Sequence, residues 1–286
     1  ENSPLNPIGS LGLAIEGRQD FNNDGIDDIL IGNPDWGIRA CGTIDFSGTT
    51  HLQLGAIGLT GGALSTSGTV PLDQSPAGDV LSLRGPGDEG TCTFSSYLGT
   101  AVAWLPDVDG DGIPDFAISA TEDAAGQAGA VYIYLSTDAG SINSGVVTES
   151  GYRLRLEGPD IGSRIGVSLG SADADGDGIS DLLVGSLPTD ASSGGVVYVI
   201  FGRDIPVSQA TVPIVSIAGL TFTGANAGAE AGTSIAGVGD LDGDGDDEFL
   251  VSAPGARSGD GVVYLVPGFY EVNTTYSLED SFSELT

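Results

Sequence analysis

The chain contains no lysine, no methionine and a single histidine, and its eight arginines stand against 40 acids, for a formal net charge of −32. Nucleic acid and anionic membrane surfaces are excluded as fitting partners, because both are held by cations on the protein. No apolar run approaches the roughly 18–20 residues that cross a bilayer, so direct membrane insertion by a helix is not expected. Cysteine is also scarce. Cys41 and Cys92 have no CxxC spacing and no histidine beside them, so one disulfide fits them better than a metal site. Such a bridge would stabilise by about 4 kcal/mol in the chain-entropy model and implies a compartment outside the cytosol. Two buried free thiols are the alternative.

What is abundant is glycine, 47 residues, with 14 prolines and 40% hydrophobic residues in 286. Regularly clustered apolar residues between so many turn formers predict many short strands rather than disorder. The acidity has two readings, metal ligation and a hydrated surface suited to salty water. Four bound Ca²⁺ bring −32 only to −24, so an acidic surface remains. With lysine absent, that surface leans towards a marine or halophilic source.

Four segments of the chain align. Each has a leading glycine strand, Gly12-Leu-Ala-Ile, Gly99-Thr-Ala-Val, Gly166-Val-Ser-Leu and Gly232-Thr-Ser-Ile. An acidic loop follows each: DFNNDGIDDILIG from Asp20, DVDGDGIPDFAIS from Asp107, DADGDGISDLLVG from Asp173 and DLDGDGDDEFLVS from Asp240. A second glycine, at Gly42, Gly129, Gly195 and Gly261, then opens a β-branched or aromatic run: TIDF, AVYIYL, VVYVIF and VVYLV. Further extended segments read VLSLRGPG, YRLRLEGPD, LTFTGANAG and TTYSLED. The first aspartates are 87, 66 and 67 residues apart, so the first repeat carries an insertion within 47–91, which also holds His51. About four strands per copy at this period predict an all-β fold, a β-propeller of four-stranded antiparallel blades. We divide 1–286, one domain, into repeats of approximately 9–96, 97–160, 161–226 and 227–286.

Counting each loop's first aspartate as position 1, oxygen side chains fall at 1, 3, 5 and 9 and glycine at 6. These are Asp20, Asn22, Asp24 and Asp28; Asp107, Asp109, Asp111 and Asp115; Asp173, Asp175, Asp177 and Asp181; and Asp240, Asp242, Asp244 and Glu248. Alternate carboxylates in a tight loop converge on one point, as a hard cation taking six to eight oxygens requires, and the flexible geometry suits Ca²⁺ better than Mg²⁺. The position-7 carbonyls of Ile26, Ile113, Ile179 and Asp246 are expected to add a ligand. An EF-hand would need an acid at position 12, where this chain has Ile31, Ile118, Val184 and Val251. Acidic surface turns without metal would not require this fixed pattern, so four Ca²⁺ sites are expected.

Loop, flanking strands and period together resemble the FG-GAP repeats of the integrin α-subunit propeller, over nearly the whole chain. IGNP (31–34), SLP (186–188) and SAPG (252–255) are similar to the GAP element. The resemblance implies calcium loops on one face of the propeller, with a mainly structural metal. The integrin propeller has seven repeats and this chain four, so a ring closed by four blades is expected. A larger ring, completed by further sequence or as a homo-oligomer, is the alternative.

Gly166-Val-Ser168-Leu-Gly170 matches a nucleophile elbow in letters only, since it lies in a leading strand and has no histidine partner. Trp104 is expected in the core and Trp36 on the surface. The functional expectation is a non-enzymatic, extracellular or cell-surface binding or adhesion module that recognises a protein ligand through its loops. A glycan-binding or ancillary domain of a secreted enzyme, or a structural spacer, is the alternative.

Overall fold

A computed structural model describes residues 12–21, 23, 25, 27–34, 49–53, 80–84, 96–123, 127–138, 145–146, 151–187, 193–206, 208–224, 226–268, 274–281 and 283–285. Asn22, Asp24 and Ile26 of the first loop, both cysteines, Trp36 and the 43–46 segment read as a strand lie outside them. The first repeat forms β1 (Ile15–Gln19), β2 (Asp28–Asn33), β3 (Thr49–Gln53) and β4 (Val80–Arg84). The second forms β5 (Leu98–Leu105), β6 (Asp115–Ala120), β7 (Ala130–Tyr134), β8 (Gly145–Val146) and β9 (Leu154–Glu157). The third forms β10 (Leu169–Ala172), β11 (Asp181–Ser186), β12 (Val196–Ile200), β13 (Ala210–Pro213) and β14 (Leu220–Thr223). The fourth forms β15 (Ile235–Gly239), β16 (Glu248–Ala253), β17 (Val262–Val266), β18 (Thr274–Ser277) and β19 (Ser283–Leu285).

Each repeat contributes one antiparallel sheet: β1-β2-β3-β4, β5-β6-β7-β9, β10-β11-β12-β14 and β15-β16-β17-β19. The remaining strand of the later repeats crosses backwards. β8, β13 and β18 each pair in parallel with the outer strand of the preceding sheet, β4, β9 and β14. An outer strand otherwise presents a row of unpaired amides, and these short additions cover it.

Three expectations are corrected here. TTYS (274–277) is not the outer strand of the last sheet. It lies on the third, where Tyr276 stacks on Phe222 at 5.7 Å, and Ser283–Leu285 takes the outer place beside β17. His51 does not belong to an insertion. It sits in β3 opposite Ile31, the position held by Tyr132, Tyr198 and Tyr264 in the other sheets. With β3 and β4 both inside 47–91, that stretch is not all insertion but holds two strands of the first sheet.

The sheets pack face to face, and each junction has its own core. Phe21, Leu30 and Leu83 meet Val102, Trp104, Phe116 and Tyr132 between the first two sheets. Trp104 is core, as expected, at 6.0 Å from Phe116. Ala117, Val131 and Ile133 meet Leu169, Leu182 and Tyr198 at the second junction; Leu183, Val197 and Val199 meet Ile235, Phe249 and Tyr264 at the third. Backbones approach closely here. A Cβ on Gly32 or Gly185 would lie 2.1 or 2.2 Å from the carbonyl oxygen of Gly99 or Gly232, the leading glycine of the next sheet. In the second sheet Ser119 stands at that position, 2.4 Å from a Cβ built on Gly166.

The corresponding contact from Ser252 to Gly12 is not made, since a Cβ on Gly12 meets only Ile15 within 4 Å. Val102, Leu169 and Ile235 are 4%, 8% and 7% exposed, whereas Ile15, at the same repeat position, is 61% exposed. Ile29 is 40% exposed, and its counterparts Phe116, Leu182 and Phe249 are fully buried. Among the described residues, the cover that the other three junctions provide is not seen over these faces of the first sheet. The four first strands nonetheless line one cavity of about 280 Å³, to which Glu16, Trp104, Ser171 and Ala236 contribute.

Candidate metal centres

Each acidic loop joins the first strand of a sheet to the second, and position 9 is the first residue of that second strand. Asp28, Asp115, Asp181 and Glu248 are buried there. Position 12 (Ile31, Ile118, Val184, Val251) falls inside β2, β6, β11 and β16, as expected.

One hydrogen-bond scheme repeats. The position-1 carboxylate accepts from the amide of position 6: Gly25 to Asp20 at 2.7 Å, Gly112 to Asp107 at 2.9 Å, Gly178 to Asp173 at 2.9 Å and Gly245 to Asp240 at 3.2 Å. Position 3 accepts from position 5, as in Asp111 to Asp109, Asp177 to Asp175 and Asp244 to Asp242. Position 5 accepts from position 7, as in Ile113 to Asp111, Ile179 to Asp177 and Asp246 to Asp244. The position-9 acid accepts from position 2: Phe21 to Asp28, Val108 to Asp115, Ala174 to Asp181 and Leu241 to Glu248. The second oxygen of each later position-9 acid accepts from an amide after the third strand, Ser136 to Asp115, Gly202 to Asp181 and Gly268 to Glu248, so amides orient these carboxylates on both sides.

Those orientations converge. Oxygens of Asp107, Asp109 and Asp111 lie within 4.8 Å of one another, as do those of Asp173, Asp175 and Asp181 and those of Asp240, Asp242 and Glu248. Oδ1 of Asp107 and Oδ1 of Asp173 are buried and have no hydrogen-bond donor. A buried anionic oxygen without a donor is costly, and a cation at the centre of the loop would satisfy it. The donor set is all oxygen, as Ca²⁺ prefers. Burial pushes the carboxyls of Asp115 and Asp181 up to about 7, opposed by their backbone hydrogen bonds and reinforced by the neighbouring aspartates.

Several participants carry no motif. The far oxygens of the second loop accept from Ser136 Oγ (2.8 Å, to Asp111) and Thr137 Oγ1 (2.6 Å, to Asp109), both just after β7. At the matching place after β12, Arg203 binds Asp175 and Asp177. Asp247 joins the fourth loop to the third, its amide donating to the Asp173 carbonyl (2.8 Å) and its carboxylate accepting from the Asp173 amide (3.0 Å). These partners stand 25–74 residues from the aspartates they touch, beyond any local pattern. Ser168 is a strut, donating to the Gly232 carbonyl at 2.6 Å from a buried position.

The FG-GAP repeat family profile matches residues 98–134 and 231–266, the second and fourth loops with their flanking strands. Integrin alpha ina-1 of Caenorhabditis elegans is 26% identical over 237 residues, 75% of this chain and 20% of that protein. Integrin alpha-V of Gallus gallus is 33% identical over 177 residues, 60% of this chain and 15% of that protein. Phosphatidylinositol-glycan-specific phospholipase D of Rattus norvegicus is 28% identical over 205 residues, 69% and 21% of the two chains. The chain spans about a fifth or less of the length of these relatives. In its repeats, loops and sheets, the chain is similar to the FG-GAP repeats of integrin α chains, and two of its repeats match that family directly.

Proposed function

We propose that this chain is a calcium-stabilised, non-enzymatic, extracellular binding module of adhesion type, recognising a protein ligand through the loops of its propeller face. The observation that carries the metal is the repeated amide-to-carboxylate scheme that leaves Oδ1 of Asp107 and Asp173 buried without a donor. The position 1, 3, 5 and 9 side chains and the position-7 carbonyls would hold four Ca²⁺, one per repeat. Similarity to two integrin α chains supports the extracellular setting and the protein ligand. The proposed domain is the whole of 1–286 with the four repeats as divided above.

Metal occupancy then sets stability, because carboxylates gathered in one loop repel until a cation binds. Calorimetric melting in millimolar Ca²⁺ and in chelator tests this. A transition many degrees lower in chelator is expected, and identical transitions overturn the reading.

The similarity to phosphatidylinositol-glycan-specific phospholipase D favours a second reading, an ancillary domain of a secreted enzyme. Binding to a glycan array without binding to extracellular-matrix proteins would decide for it.

A further inference from the structure

Arg203 distinguishes the third loop from the other described loops. Its guanidinium binds the outer oxygens of Asp175 and Asp177, positions 3 and 5, the latter at 2.9 Å. The second loop satisfies the same two oxygens with neutral hydroxyls, Ser136 and Thr137. The arginine is held in place from below. Its guanidinium carbon lies 4.4 Å from the centre of the Phe201 ring, which is itself buried. Gly219 makes room for that ring, since a Cβ there would lie 2.1 Å from it. The residue matching Phe201 is Leu135 in the second repeat and Pro267 in the fourth, so the platform and the cation occur together in the third.

We propose that Arg203 is a built-in counter-cation of the third loop, which lowers that loop's affinity for Ca²⁺ and keeps the loop folded when Ca²⁺ is withdrawn. The inference rests on the calcium reading above. A fixed positive charge on two ligand carboxylates repels an incoming divalent ion and draws charge from its ligands. The same charge relieves the repulsion among Asp173, Asp175 and Asp177 in the metal-free loop. The third site would therefore fill last as Ca²⁺ rises, while its loop stays ordered at low Ca²⁺. Arg203 is 38% exposed, so solvent and salt screen the effect.

The test is a Ca²⁺ titration by isothermal calorimetry of the full chain and of Arg203→Thr, which installs the second repeat's residue, with Arg203→Gln as a milder neutral variant and Arg203→Lys as the charged control. The weakest class of sites is expected to tighten on the order of tenfold in both neutral variants at low salt and to stay put in Arg203→Lys. Melting adds a readout that a purely structural arginine would not give. The neutral variants should melt lower than wild type in chelator and at the same temperature or higher in saturating Ca²⁺. Site affinities unchanged by neutralising Arg203, or lower melting in both conditions, overturn the proposal while the calcium reading stands. If wild type takes up no Ca²⁺ at millimolar concentration, both fall.

Discussion

At the scale of the residue, Asp115 and Asp181 show what burying a carboxyl among other acids costs. Both are buried at position 9, and burial lifts their carboxyls to about 7, well above the ordinary carboxylate range. The sign follows from linkage. A carboxyl whose folded pKa is raised stabilises the fold while it is protonated, and that contribution is lost as pH rises through the folded value. Metal-stripped protein should therefore melt higher at pH 5 than at pH 8, with the change falling between about 4 and 7 and on to its upper side. Saturating Ca²⁺ holds the carboxylates ionised and should flatten this slope. Melting temperature against pH, with and without metal, checks it; a chelated protein that gains stability from pH 5 to 8 would contradict the assignment. These acids were legible in the sequence because they recur at fixed spacing in one short segment of each repeat. Arg203, Ser136 and Thr137 were not, because each reaches its aspartates from after the third strand and nothing local marks it.

At the scale of the element, the second strand carries the junction. Gly185 faces the carbonyl oxygen of Gly232 across the third junction, and its Cβ would lie 2.2 Å from that backbone atom and 2.4 Å from Ser168 Oγ. Gly185→Ala forces two sheets apart and should cost about 1–3 kcal/mol, read as a lower urea midpoint with an unchanged slope. Gly178→Ala, at a loop position with open space but φ of +82°, should cost less, about 1 kcal/mol from backbone strain alone. Equal losses would mean that the junction yields as readily as the loop. The inner strands of the last three repeats were legible as glycine-opened apolar runs, but in the first repeat Thr49–Gln53, not TIDF after Gly42, pairs with the second strand. The parallel edge strands were not, since β8, β13 and β18 span two to four residues and take their register from the preceding repeat. The displaced assignment of TTYS has the same cause: a short β-branched run does not record which sheet it joins.

At the scale of the whole molecule, the repeat makes two unequal kinds of face. Val131 and Val197 sit at one repeat position on the second and third sheets, fully buried against the next sheet, and Val263 holds that position on the fourth, half-buried with Leu250 and Leu265. The first sheet shows the reciprocal deficit, with Ile15 and Ile29 exposed where their counterparts are covered. Four copies of one unit thus leave one donating and one receiving surface, matched in chemistry, at the two ends of the array. The sheets were legible in the sequence, but what covers the two end faces was not, because it depends on the angle between sheets rather than on any residue pattern. Truncation of a valine measures what each face contributes. Val131→Ala and Val197→Ala should each cost about 2 kcal/mol, the transfer loss of two methyl groups plus a cavity that cannot collapse. Val263→Ala should cost less than half as much, because solvent already reaches that side chain. All three are compared by urea unfolding in Ca²⁺, across a tenfold dilution of protein. Equal losses that persist on dilution would mean that the fourth sheet closes onto the first within one chain. A Val263→Ala loss that grows with protein concentration would mean that another molecule covers it.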